Sequence, residues 1–302
     1  MQYWLDSRPI DDRTSCGDFA ECFPLDSDRH AIIIADVAGR GAAAGAAARA
    51  LLDLARIAVT SRENLRTGLT LVDDIFTHHV MSEDVPLASL FLAIADVKEG
   101  VLEYASAGHE PALHFTNSTR HDHLYPTGPL LGIEKLASPS FTQRRVHFTP
   151  ESVLVAVTDG ITESRRYERG MPLFFGSQGV ARALVNALRL HEDPARAIAD
   201  AAADHANGQT RDDATALVVE LGQFWLSDLR LITRKQLPRH VQRRRHQPPA
   251  NWMGELLVCS CGHGIGKRTA DVCEGDLRRS CRCTLDPDSV LMAAIATARL
   301  YS

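Results

Sequence analysis

The sequence has no run of eighteen apolar residues, so it holds no candidate membrane-spanning helix. Its longest apolar stretch, Gly41 to Thr60, is alanine-rich and broken by Arg49, Asp53 and Arg56. The opening Met1-Gln2-Tyr3-Trp4-Leu5-Asp6 lacks the basic and apolar regions of a signal peptide, so a cytoplasmic location is expected. Cysteine is scarce before residue 259, with only Cys16 and Cys22. Without an export signal the cysteines read as reduced thiols or metal ligands, not as a disulfide framework.

What is present is ordinary in bulk and uneven in detail. The 302 residues suit one large domain or two small ones, and 45% apolar with 24% charged composition fits a globular chain. Such a chain buries a sizeable core without disulfide staples. The net charge of -5 conceals an asymmetry: from Trp225 onward there are 13 Lys and Arg against 7 Asp and Glu, leaving 20 basic and 31 acidic residues in front. An acidic front suits cation binding, although soluble surfaces are often acidic too.

Periodicity predicts strands near Tyr3–Leu5 and Phe19–Leu25. His30-Ala-Ile-Ile-Ile-Ala-Asp36 is a compact β-branched run that reads as a buried strand. Two helices are expected next, one over Ala42–Val59 and a second, capped within Ser61-Arg-Glu-Asn-Leu65, reaching about Met81. Ala88–Asp96 and Val101–Ser106 around Lys98-Glu-Gly100 form a hairpin signal. Ala112–Phe115 and Ser152–Thr158 read as further strands. Helices over Ser177–Leu190 and Pro194–Asn207 follow, then a last strand over Ala214–Leu221. Long crossovers do not alternate with single strands, so the expected class is α+β with antiparallel sheets and segregated helices.

Four aspartates share one local pattern. Asp18 lies in Cys16-Gly-Asp-Phe19, Asp36 ends a strand, Asp159 ends another before Gly160, and Asp212 opens the last strand. Carboxylates at strand ends can converge at a sheet edge, and neighbouring glycines allow close backbone approach. Oxygen ligands of this kind suit Mg²⁺ or Mn²⁺. A lone Asp-Gly is usually only a turn; four sites abutting apolar strands carry more weight.

The same segments resemble motifs of the SpoIIE/RsbU-type branch of the PPM (type-2C) serine/threonine protein phosphatases of bacteria. These are Gly17-Asp-Phe-Ala-Glu-Cys-Phe-Pro-Leu25, Ala35-Asp-Val-Ala-Gly-Arg-Gly41, Tyr104-Ala-Ser-Ala-Gly-His-Glu-Pro111, Gly128-Pro-Leu-Leu-Gly132, Val157-Thr-Asp-Gly-Ile-Thr-Glu163 and Arg211-Asp-Asp-Ala-Thr215. All six occur in the family's order and give a catalytic domain over residues 1–222. The resemblance implies a sandwich of two antiparallel β-sheets flanked by helix pairs, in α-β-β-α layers. It implies two Mn²⁺ or Mg²⁺ ions, with Asp36 bridging them, the Val37 carbonyl and Asp18 on one side, and Asp159 and Asp212 on the other. Hydrolysis of phosphoserine or phosphothreonine by a metal-activated water then needs no cysteine nucleophile, so Cys16 reads as a small packing residue.

Departures from the pattern are Cys16 for a glycine, Ala20 for an aromatic residue and Arg40 for a lysine; none removes a carboxylate. His109 reads as a loop-fixing residue, Glu163 as a hydrogen-bonding or solvated carboxylate, and His78-His79 as a surface pair. Alternation along the strand points Asp213 away from Asp212. The resemblance also implies a phosphorylated regulatory protein as substrate, with a STAS-type anti-sigma factor antagonist as the candidate. Only 17 residues precede Asp18, where relatives carry a sensor region, so the expectation is either regulation by a partner protein or loss of the sensor; the resemblance implies the helices over residues 42–81 as the candidate activator surface. The alternative is an inactive binding module of the same fold in a signalling partner switch. Residues 223–302 form a basic, Cys-rich extension expected to be poorly ordered. Cys259, Cys261, His263, Cys273, Cys281 and Cys283 match no familiar zinc spacing, and a nucleic-acid role lacks aromatic or motif support.

Overall fold

The computed structural model describes residues 1–10, 16–61, 64–116, 120–133, 141–209 and 211–221. The expectations for residues 223–302 therefore lie outside the described residues. Twelve strands and five α-helices are present among the described residues. In chain order they are β1 (Gln2–Arg8), β2 (Asp18–Pro24), β3 (Arg29–Val37), α1 (Gly41–Thr60), α2 (Leu65–Ile75), β4 (Ala88–Asp96), β5 (Val101–Ala107), β6 (Ala112–Phe115) and β7 (His121–Leu124). Then come β8 (Arg144–His147), β9 (Val153–Val157), α3 (Asp159–Thr162), β10 (Arg165–Glu168), β11 (Met171–Phe174), α4 (Gly176–Leu190), α5 (Pro194–His205) and β12 (Ala214–Glu220).

The first sheet has the order β1-β12-β9-β6-β7 and the second β2-β3-β4-β5-β8, with β10-β11 a separate hairpin. Every strand pairing is antiparallel. Side chains alternate along a strand, and here both faces are buried. On β3, Ile32 and Ile34 join Phe91, Tyr104, Leu217 and Val219 between the sheets. Ala31, Ile33, Ala35 and Val37 face α1 and α2 in a second core. On β12, Ala216 and Val218 face the other way, into a third core with α4 and α5. This two-sided burial explains why β3 reads as a continuous apolar run rather than as alternation. The layers are thus α-β-β-α, as expected. Among the described residues no helix is long and apolar enough to cross a membrane.

The second helix departs from expectation at its C-terminal end. Within the expected capping segment it is Asn64 that caps the helix, accepting the Thr67 N–H at 2.9 Å, while Ser61 closes α1 by donating its N–H to the Ile57 carbonyl. The expected continuation to Met81 is a π-helical turn, Phe76–Val80. The wider turn buries Phe76 completely while leaving the His78 and His79 side chains outward. β9 ends at Val157, so Asp159 does not end a strand; it opens the single turn α3 behind Thr158. Asp212 likewise precedes β12 by two residues rather than opening it.

Candidate active site

The strand phase that fills the inter-sheet core continues past its apolar part. Ile32 and Ile34 face the opposite sheet, so Asp36 faces the same way near the end of β3. On β2 the phase of Cys22 and Ala20 carries Asp18 inward. Register then sets Asp18 opposite Asp36, and Asp36 opposite Ser89 of β4. From the first sheet, Thr158 follows Leu154 and Ala156, and Thr215 precedes Leu217 and Val219, again in the inter-sheet phase.

These two rows meet. Thr158 Oγ1 donates to Asp18 Oδ2 at 2.7 Å and accepts the Thr215 N–H at 2.9 Å. The hydroxyls of Thr215 and Ser7 share a further hydrogen bond of 2.9 Å. Asp213 ties down the segment bearing Asp18: its two carboxylate oxygens accept the N–H groups of Ile10 and Gly17, each at 2.8 Å. Gly17 is required by closeness, because a Cβ there would lie 2.7 Å from the Val37 carbonyl oxygen. Gly160 is tighter still: its Cβ would overlap the Asp213 carbonyl oxygen. The Asp159 turn and the Asp212-Asp213 segment are therefore stacked backbone on backbone.

A cleft of about 310 Å³ opens here, lined by Asp36, Asp159, Ser89, His109, Glu110 and Leu130. A larger depression of about 700 Å³ lies at the opposite end of β3 and β4, around Arg29, Asp96 and Glu103, and holds none of the four aspartates. The cleft is electrostatically loaded. Burial pushes the Asp36 carboxyl up to about 7, with Asp159, Asp212 and Asp213 adding to the shift. Asp18 is raised well above the usual carboxylate range by burial and then by Asp36, against the pull of the Thr158 and Thr215 hydroxyls. Asp159 is raised by burial, then by Asp212 and Glu163. Glu110 is raised by burial, then by Asp159 and Glu163. Like charges opposed across a strand pair are destabilising unless something neutralises them.

Among the described residues no Lys, Arg or His forms an ion pair with Asp18, Asp36, Asp159, Asp212 or Asp213. The donor set is all oxygen, which fits a hard divalent cation. No three acidic, His or Cys side chains among the described residues gather tightly enough to hold an ion by themselves.

The structure thus brings Asp18, Asp36 and Asp159 to one end of the sandwich, with Asp212 exposed at its rim and the Val37 carbonyl beside Gly17. His109 is 1% exposed, and its Nδ1 shares a 2.7 Å hydrogen bond with Ser89 Oγ. Burial drives its pKa down to about 4, so the ring is neutral and fixes the cleft wall. Burial, then Asp18 and Asp213, push the Cys16 thiol up to about 12, which makes it a poor nucleophile. Glu163 is exposed and lies 3.8 Å from Arg165. His78 bonds the Asp74 carbonyl at the surface. Sequence reasoning missed Glu110, Ser89, Thr158 and the clamp by Asp213. Glu110 was visible beside His109, whereas the hydroxyls needed the register of both sheets.

The sequence matches the family model described as Stage II sporulation protein E (SpoIIE) over residues 26–222. It is 26% identical over 236 residues to Protein IcfG of Synechocystis sp., covering 68% of this chain but 36% of that protein. The chain therefore spans about a third of this relative. The fold is similar to the SiaA-PP2C domain of Pseudomonas aeruginosa, with TM-score 0.60 and 22% identity over 72% of this chain and 85% of that one. It is also similar to the RsbU and RsbW domains of Rv1364c from Mycobacterium tuberculosis, with TM-score 0.58 and 20% identity over 72% and 60%. For the PP2C phosphatase domain of SpoIIE from Bacillus subtilis the TM-score is 0.60, with 16% identity over 73% and 63%. With its two antiparallel sheets, outer helix pairs and matched segment of 26–222, the chain belongs to the SpoIIE family and has the PP2C phosphatase fold.

Proposed function

We propose that this chain is a metal-dependent phosphatase that hydrolyses phosphoserine or phosphothreonine on a regulatory protein. The observation that carries the reading is the Asp18–Asp36 pair, opposed across β2 and β3 beside Asp159 in an open cleft, with no cationic side chain among the described residues to neutralise it. Asp18, Asp36, the Val37 carbonyl, Asp159 and Asp212 are the groups that would hold two Mg²⁺ or Mn²⁺ ions. Bound divalent ions supply an acidified water and neutralise charge on a phosphoryl group.

The chain's own residues do the positioning. Thr158 fixes Asp18 by hydrogen bonding, and Thr215 and Ser7 hold Thr158 and its neighbours in place. Asp213 anchors the backbone on the N-terminal side of Asp18. Ser89 and His109 stiffen the cleft wall beside Asp36. No cysteine takes part, consistent with the raised Cys16 thiol. The substrate class is supported by context: structural relatives include the RsbU and RsbW domains of Rv1364c and a stressosome protein, described as part of a modular signalling system. Magnesium is present in the solved structure of another relative, RsbX. A STAS-type anti-sigma factor antagonist is the substrate to try first.

The test is hydrolysis of p-nitrophenyl phosphate and of a phosphoserine peptide with Mn²⁺, Mg²⁺ or EDTA, alongside calorimetric binding of each ion. Metal-dependent turnover and metal binding, both lost in Asp36→Ala, support the reading. Folded protein that binds the ions and turns over neither substrate, nor a phosphorylated STAS-type protein, supports the inactive binding module instead.

A further inference from the structure

The β6-β7 hairpin closes the outer edge of the first sheet. Its edge strand reads His121-Asp122-His123-Leu124. Leu124 points into the inter-sheet core, so alternation puts His121 and His123 together on the other face. Register confirms this: Phe115 opposes His121 and Leu113 opposes His123, and both belong to the helix-side core. At this edge the cover is incomplete, and both imidazoles are half-buried while Tyr125 is 57% exposed.

The rings form one file. Phe115 and His121 centroids are 4.7 Å apart, His121 and His123 5.6 Å, and His123 and Tyr125 5.7 Å. His78, His109, His114 and His205 each commit a ring nitrogen to a described partner. Both His121 and His123 pair with β6 through the backbone, but neither imidazole has a hydrogen bond or ion pair among the described residues. The proposed phosphatase reaction uses neither.

We propose that His121 and His123 form a bidentate site for a borderline divalent cation of the Zn²⁺ or Ni²⁺ class, separate from the carboxylate centre. Imidazole suits such ions, whereas Mg²⁺ prefers oxygen, so the two places sort cations by chemistry. The spacing permits it. A nitrogen bound at about 2.0–2.1 Å puts its ring centroid roughly 3.2 Å from the ion, so two rings on one ion lie roughly 5.2 Å apart at the tetrahedral angle and roughly 4.5 Å apart at a right angle. From the observed 5.6 Å the rings must close by a few tenths of an ångström for a tetrahedral ion and by about 1 Å for an octahedral one, within reach of side-chain rotation at an exposed edge. Phe115 and Tyr125 flank the pair, which reduces the entropy lost when the rings are ordered on an ion. Burial, then His123, lower the proton affinity of His121, leaving a neutral ring with a free lone pair. No third acidic, His or Cys ligand joins them among the described residues, so water completes the shell.

The test is calorimetric titration of the untagged full chain with Ni²⁺ in excess Mg²⁺, with near-ultraviolet absorbance recorded for thiolate ligation by any of the chain's cysteines. The expected result is a Ni²⁺ event without a thiolate band. It is unchanged in Asp36→Asn and weakened about 10-fold or more in each of His121→Gln and His123→Gln. Ni²⁺ binding that survives both histidine substitutions, or absence of binding to the unmutated chain, overturns the proposal. A readout that needs no variant is paramagnetic broadening of imidazole proton resonances by substoichiometric Ni²⁺. Two rings broadened first and together support the site; one ring alone, or none, overturns it.

Discussion

The middle of the inter-sheet layer and its end at Asp36 are made by the same strands in the same phase, yet they hold opposite chemistry. Ile32, Ile34, Phe91, Leu217 and Val219 are apolar and almost wholly buried. One or two steps further along, the same side of those strands presents Asp18, Asp36, Ser89, Thr158 and Thr215. The register that interdigitates the apolar core therefore also sets the carboxylates against one another. The core is stabilised by what it excludes; the far end is strained by what it brings together. A substitution should separate the two, costing stability in one place and chemistry in the other.

The sharpest break is Asp36→Ala. Phosphatase turnover should fall at least about 10³-fold, because charge stabilisation at the phosphoryl group is lost. Thermal melts of the metal-free protein should show no loss of stability, because a repelling carboxylate has gone. Ile34→Ala, two residues back on the same face, should do the reverse. It should cost about 2–5 kcal/mol in denaturant unfolding, through lost burial and a residual cavity, while the folded fraction keeps its turnover.

Thr158→Val tests the seam between the two regions. It leaves the Asp18 carboxylate short of a donor and the Thr215 N–H short of an acceptor, at a cost of about 1–3 kcal/mol. Calorimetry should also show weaker Mg²⁺ binding. The smallest effect is in pH. The Asp36 carboxyl sits at about 7 in the folded chain, above its ordinary value of 3.8, so between these limits the folded state holds a proton that the unfolded state has lost. Its contribution is therefore fully present below about pH 4 and is lost as pH rises through about 7. His109, lowered to about 4, contributes the opposite slope up to its ordinary 6.5. The readout is thus the stability difference between the unmutated chain and Asp36→Asn in EDTA, which should move steadily against the unmutated chain as pH rises from about 4 to about 7. Saturating Mg²⁺ should flatten it.

Much of the architecture was legible because two-sided burial leaves long apolar runs. His30–Asp36, the hairpin of 88–106 and both helix pairs carry enough pattern to be placed within a few residues. The short strands β7, β8, β10 and β11 were not legible, since His121-Asp-His-Leu124 or Arg165-Arg-Tyr-Glu168 offers no apolar period. The aspartates could be found from their glycine neighbours and motif order. Their support could not: Thr158 meets Asp18 from 140 residues away, and only the stacking of two sheets makes them partners. The π-helical turn at Phe76 was equally hidden, because one extra residue in a turn leaves the helical apolar spacing nearly intact.

The stacking of Gly160 on Asp213 has a consequence for how this chain can change over time. Position 160 contributes no functional atom, yet any side chain there would wedge apart the segments that carry Asp159 and Asp212. The mutational target for loss of activity is therefore wider than the set of donor groups. A lineage could keep every carboxylate and still fall silent through one methyl group. Inspection of the acidic residues alone would not tell the silent descendant from its working ancestor.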